Sequence, residues 1–352
     1  MKHTLKDLLV KVVEQKGSDL HINAGLPPQI RVDGRLQPVG DSSLTAEESQ
    51  EICYECLSQE QVMRFEADRA IDLGFGMKGL ARFRANVFWS IDQVAGAFRV
   101  IPFDIPKPDF LGLPESMLKI ITKSRGLVLV TGQTGSGKST TLASLIDRIN
   151  ETRSEHIVTI EDPIEYLYTQ KKSLINQREV GHDALSFTQA LKHILRQDPD
   201  VVLVGEMRDL ETIQATITVA ETGHLVFATL HTNSAVETID RIIDVFPPHQ
   251  QNQVRTQLAF ILEGVFCQQL LPKVKGGRTL ALEILLPNSG IRNLIREGKT
   301  HQLFAQMQMG QQESQMVTLD QSLAKLAKGG IIEIEEARRR AKNVEDFNGL
   351  LK

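Results

Sequence analysis

The sequence predicts an α/β fold in two parts: an α+β part over 1–101 and a parallel-sheet part over 115–352. Three observations carry this. Four of the thirteen prolines fall between Pro102 and Pro114. Proline fixes φ and removes a donor, so 102–114 reads as a linker. Beyond it, short continuous apolar runs alternate with helical stretches, as strands buried on both faces do. Before it, β-rich runs are separated by turn signals.

In chain order, Leu5, Leu8, Leu9, Val12 and Val13 recur at helical spacing and mark one face of an amphipathic helix. Ser18-DLHI reads as a strand. Gln29-IRV and Arg35-LQPV flank Asp33-Gly34, a two-residue hairpin signal. Thr45 with Glu48 forms a capping box opening a helix expected to run to about Phe65. Arg82-FRANVFW and Val94-AGAFRVI read as two paired strands. In the second part, strands are expected at Gly126-LVLV, His156-IVTI, Val201-VLV and Leu225-VFATL. Helices are expected at Ser139–Asn150, Phe187–Arg196 and Leu210–Glu221. From about 289 onward the chain reads as helical, and Gly329-Gly330 separates two short helices, the second ending in Arg338–Arg340.

The 352 residues suggest two or three domains. With 41% hydrophobic and 24% charged residues, the chain is neither disordered, collagenous nor a disulfide scaffold. A net charge of −4 supplies no overall basic field, and Trp89 is the only tryptophan, so no nucleic-acid partner is expected. Cys53, Cys56 and Cys267 are sparse and odd in number, which fits a reducing compartment. Cys53 and Cys56 have C-x-x-C spacing but no second pair, so they read as core or surface cysteines rather than zinc ligands. No apolar run approaches the roughly 18 residues of a membrane span. Charges at Lys6, Asp7, Lys11 and Glu14 argue against a signal peptide. A cytoplasmic location is expected, with any membrane role reached through a partner.

The chemistry begins at Gly132-Gln133-Thr134-Gly135-Ser136-Gly137-Lys138-Ser139-Thr140, which fits G-x-x-x-x-G-K-[ST]. The glycines let backbone N–H groups turn toward phosphate oxygens, and the following helix offers its positive end. Lys138 reaches the β- and γ-phosphates, and the Ser139 hydroxyl ligates Mg²⁺. ATP and Mg²⁺ are therefore the expected ligands. Asp200-VVLVGE places Glu206 past a buried strand, where a carboxylate can orient or deprotonate attacking water. Gly205 stands where many such proteins carry a metal-holding aspartate. Glu161-DPIE adds Glu161, Asp162 and Glu165, read either as contacts to Mg²⁺ or water, or as a solvated acidic turn. His224 and His231 bracket the strand Leu225-VFATL, with His231 on the phosphate side. Each is a functional or a merely satisfied histidine.

These four segments, in this order, resemble the ATPases of type II secretion and type IV pilus systems. The matches are 132–140, Glu161-DPIE, Asp198-PDVVLVGEMRD and Glu221-TGHLVFATLHTNSA. Gly17-SDLHI and Pro28-QIRVDGRL extend the resemblance to nearly the whole chain. Gly290-IRNLIREGK is similar to a C-terminal motif of the pilus-retraction branch, with Gly290 where that motif usually opens with alanine. The long N-terminal extension and four-cysteine zinc loop of the assembly branch are not found.

The resemblance implies a PAS-like N-terminal domain over 1–101 and a RecA-like ATPase domain over 115–352 with a helical C-terminal tail. It also implies a homohexamer in which Arg84 and Arg99 complete the nucleotide site. Arg82 is a third candidate, and all three are alternatively a solvated strand face. The implied function is ATP-driven retraction of type IV pili, at the inner membrane beside a platform protein. Alternatives are an assembly ATPase, an accessory ATPase partnering a paralogous motor, and a nucleic-acid translocase.

Overall fold

The computed structural model describes residues 4–32, 35–77, 79–101, 104–308 and 315–352. The Asp33-Gly34 turn and Pro102 of the proline-rich stretch lie outside them. Two compact units emerge: Met1–Asp104 with Glu165–Leu167, and Ile105–Ile164 with Tyr168–Lys352.

The first unit opens with α1 (Leu5–Glu14), capped by Thr4, and buries Leu5, Leu8, Leu9 and Val12. Its strands are β1 (Asp19–Ile22), β2 (Gln29–Val32), β3 (Arg35–Pro38), β4 (Ala70–Met77), β5 (Ala81–Ser90) and β6 (Gln93–Ile101). They form an antiparallel sheet in the order β3-β2-β1-β6-β5-β4. Alternation along β5 buries Ala81, Phe83, Ala85 and Val87 and leaves Arg82, Arg84 and Asn86 on the other face.

The helix expected from Thr45 to Phe65 is two helices. α2 (Ala46–Tyr54) carries the Thr45–Glu48 capping box, and α3 (Gln59–Asp68) starts again on a Ser58–Gln61 box. Ser58 satisfies orphan N–H groups of a new helix and so marks the break. Cys53 is fully buried, and burial raises its thiol pKa well above the ordinary range; the Cys56 thiol is pushed up to about 12. Both are packing groups.

In the second unit, Pro108–Leu111 is a helical turn, α4, rather than extended linker, with proline at its first position, where a missing N–H costs nothing. Next come α5 (Glu115–Ile120), β7 (Gly126–Thr131), α6 (Lys138–Thr152), β8 (His156–Glu161), β9 (Leu174–Glu179) and α7 (Phe187–Ile194). They are followed by β10 (Val201–Val204), α8 (Leu210–Glu221), β11 (Leu225–Leu230), α9 (Ala235–Asp244) and α10 (Pro248–Ile261). The unit continues with β12 (Leu262–Pro272), β13 (Arg278–Leu285), α11 (Ser289–Arg296) and α12 (Leu303–Gln308).

The sheet order is β13-β12-β7-β11-β10-β8-β9, all parallel except the edge strand β13. Period two splits β7 between two cores. Leu127 and Leu129 face the core built with α7 to α11, while Val128 and Val130 face α5 and α6. Helices Leu319–Lys328, Ile334–Arg340 and Val344–Leu351 build a smaller core on Leu271 and Ala281. Arg338 and Arg340 pair with Glu335 and Glu336 one turn back, so this basic run is an internally paired helix face. No helix among the described residues is long and apolar enough to cross a membrane.

Candidate functional site

Because β7, β8, β10 and β11 are parallel and in register, their C-terminal ends share one edge, where ligands of open α/β sheets bind. The chain leaves β7 at Gly132 with φ +140° and enters α6 from Gly137 with φ +90°. A Cβ on Gly132 would lie 2.4 Å from the Gln268 carbonyl and 2.6 Å from Ser136 Oγ, so only glycine fits. Gln133, Thr134 and Gly135 form the exposed tip, and Ser139 and Thr140 are half-buried in the first turn of α6. Lys138 is 9% exposed and curls over the loop, its Nζ donating to the carbonyls of Gly132 at 2.7 Å and Gln133 at 3.2 Å. Ser136 Oγ is buried with no protein partner. A glycine-turned loop at a helix start, a cradled ammonium and an unspent hydroxyl fit a polyphosphate.

Beneath the loop lies Gln268 on β12, a residue the sequence reading did not single out. It is 1% exposed, and its Nε2 donates to Thr141 Oγ1 at 3.0 Å. Two glutamines inside the apolar run Val265-FCQQLL were the available signal.

Glu206 stands two residues past the end of β10. Gly205 precedes it because a Cβ there would sit 3.2 Å from both the Ile160 carbonyl and Glu161 Cα, where β8 ends. The edge is fastened by Thr229 Oγ1 donating to the Gly205 carbonyl at 2.5 Å and Met207 N–H donating to the Thr229 carbonyl at 3.0 Å. Arg208 approaches Glu206 Oε2 at 2.8 Å and His231 Nε2 approaches Oε1 at 3.3 Å. Burial raises the Glu206 pKa, but Arg208 first, then His231 and Lys138, outweigh it and hold the carboxyl below its ordinary value. Arg208 also feels the charge of Asp162. Arg208 stands two residues after Glu206 in Asp198-PDVVLVGEMRD, but nothing local in the sequence names the carboxylate as its partner.

The structure thus gathers Lys138, Glu206 and His231 at one edge. Glu161 ends β8 on that edge, and its Oε1 accepts from Thr159 Oγ1 at 2.6 Å. Buried Glu179 accepts from the Ile164 N–H at 3.2 Å and shapes the acidic segment. Asp162 is exposed beside it; Glu165 is exposed and groups with the first unit.

His224 is not gathered. It sits at the N-terminal end of β11, about 20 Å of strand from His231. Its Nδ1 lies 3.1 Å from Thr222 Oγ1 and 3.0 Å from the Val219 carbonyl, at the end of α8. Of the two histidines that bracket β11, only His231 lies at the phosphate edge, because a strand's two ends lie on opposite sheet edges.

Arg84 and Arg99 lie in the first unit, directly opposite each other on β5 and β6. Arg99 Nε donates to Asp19 Oδ1 at 2.8 Å, and Arg84 stands 3.9 Å from Asp72.

The two residues the sequence offers to Mg²⁺, Ser139 and Asp162, carry hard oxygen donors, a hydroxyl and a carboxylate, of the kind that ion takes. Among the described residues no cluster of three His, Cys, Asp or Glu could hold a metal.

A glycine-rich loop between buried strand and helix, facing a strand-end glutamate, defines a P-loop nucleotide-binding α/β protein. The chain belongs to the type II/IV secretion system protein family, whose model matches residues 112–276. It is 47% identical over 343 residues to the type IV pilus retraction ATPase PilT of Pseudomonas aeruginosa, covering 97% of this chain and 99% of that one. It is 39% identical to the type IV pilus ATPase PilU of the same organism, covering 98% and 90%. The crystal structure of the pilus retraction motor PilT with bound ADP superposes with a TM-score of 0.92 at 49% identity, covering 98% of each chain.

Proposed function

We propose that this protein is an ATP hydrolase that powers retraction of type IV pili, and so twitching motility. The observation that carries the reading is Glu206, held ionised by Arg208 and His231 at the same sheet edge as the Lys138 loop. An ionised carboxylate accepts a hydrogen bond from water and fixes its line of approach to the γ-phosphate. Lys138 and the loop N–H groups neutralise the phosphates. Ser139 and Asp162 would hold Mg²⁺, which when bound screens phosphate charge. The retraction assignment rests on likeness to PilT across nearly the full length of both chains.

The same likeness supports a homohexamer, in which Arg84 and Arg99 would add guanidinium groups to the nucleotide site. Work at the cytoplasmic side of the inner membrane, beside a platform protein, belongs to the same proposal. Likeness to PilU supports a second reading, an accessory ATPase acting with a paralogous motor.

The purified chain tests the catalytic part. Glu206→Gln removes the charge and keeps the shape, so turnover should fall at least about a hundredfold with nucleotide affinity within a few-fold of wild type. Lys138→Ala should lose both. Unchanged turnover in Glu206→Gln would reject the assignment.

A further inference from the structure

Glu283 is an interior charge that the catalytic reading leaves unused. It stands on β13, 1% exposed. Its Oε1 accepts from the Ala235 N–H at 2.8 Å, and its Oε2 meets Lys342 Nζ at 2.6 Å. Ala235 opens α9, so its N–H is one of the donors a helix start leaves without an intrahelical partner.

His231 lies four residues upstream, and the intervening loop is pinned. Thr232 Oγ1 and Thr238 Oγ1 are 2.7 Å apart, and the Asn233 N–H donates to Glu237 Oε2 at 2.8 Å. Lys342 sits in the joint between helices Ile334–Arg340 and Val344–Leu351. That joint is itself fastened: the N–H groups of Lys342 and Asn343 donate to buried Asp320 at 2.7 and 3.0 Å. One carboxylate therefore touches the histidine loop through one oxygen and the C-terminal helices through the other.

A neutral glutamine could receive the Ala235 N–H through its carbonyl. The charge is needed only for Lys342, and an interior carboxylate stripped of its counter-charge is strongly unfavourable. A shift of the C-terminal helices that withdraws Lys342 would thus be felt at Ala235 and, through the pinned loop, at His231 and Glu206. We propose that Glu283 is a positioning residue that couples the His231 loop to the C-terminal helices, with the Lys342 ion pair as the contact that forms and breaks. The catalytic consequence rests on the ATPase reading above.

The test is Lys342→Met in the full-length protein. Lys342 is about one-third exposed, so methionine is accommodated. Amide hydrogen exchange over 231–238 should quicken about fivefold or more, and kcat should fall about fivefold to tenfold with KM for ATP within twofold. Lys342→Arg should restore both. Glu283→Gln, which keeps an acceptor for Ala235 and leaves no unpaired charge, should keep exchange over 231–238 near wild type, and adding Lys342→Met to it should change neither exchange nor kcat further. The double variant His231→Ala with Lys342→Met should be no slower than His231→Ala alone, since both act through one group. Unchanged exchange over 231–238 in Lys342→Met, or rate losses that multiply in the double variant with His231→Ala, would overturn the coupling. A wild-type protein without turnover would defeat the ATPase reading instead, and the exchange measurement would still decide the coupling.

Discussion

Arg208 determines what Glu206 can do. With burial pushing the carboxyl pKa up and Arg208 leading the groups that pull it down, the balance lies below 4.5, the ordinary value. A carboxyl whose folded pKa is depressed contributes stability that is fully present above its unfolded value. That stability is lost as pH falls through the folded pKa. Glu206 should therefore stay ionised throughout the neutral range. Arg208→Ala leaves burial opposed only by His231 and Lys138. The acid limb of the pH–rate profile should then move to higher pH, measured as kcat against pH in both proteins; an unmoved limb would mean Arg208 does not set this charge. Lys138, Glu206 and His231 were legible because each occupies a fixed offset from a strand or a glycine motif. Gln268 and Glu283 act on backbone and side chains more than 40 residues away in sequence, at 132 or 127 and at 48 or 59 residues. No local pattern announces a bond that only the fold brings together.

Elements were legible where punctuation was strong. β7, β8, β10 and β11 are apolar runs bounded by glycines or charges, and their parallel order follows from the helices between them. β12 was not read, because α10 ends at Ile261 and β12 begins at Leu262 with no turn residue between. An apolar stretch without a breaker leaves helix and strand indistinguishable by period. The missed strand matters, since β12 carries Gln268 beneath the phosphate loop. Gln268→Leu deletes the bond to Thr141 and should raise KM for ATP several-fold while destabilising the unit by about 1–2 kcal/mol, read from nucleotide titration and denaturant unfolding. An unchanged KM would make Gln268 a packing residue only. Thr45 offers an independent check on the first unit. Its capping box holds α2, and Thr45→Ala should cost about 1 kcal/mol in unfolding free energy without altering nucleotide binding.

At the scale of the molecule, each unit has its own core. The second unit carries the Lys138 loop, Glu206 and His231, and the first carries Arg84 and Arg99 side by side on β5 and β6. If Arg84 and Arg99 complete a nucleotide site as proposed, nucleotide state can become movement, because a group on another body stabilises phosphate charge in one arrangement and not in another. The central claim is that such movement withdraws pili. Its most direct test is a count of surface pili, with twitching scored, in cells carrying Glu206→Gln as the only copy. Retraction requires more pili and lost twitching; few or no pili would contradict it and assign the motor to assembly.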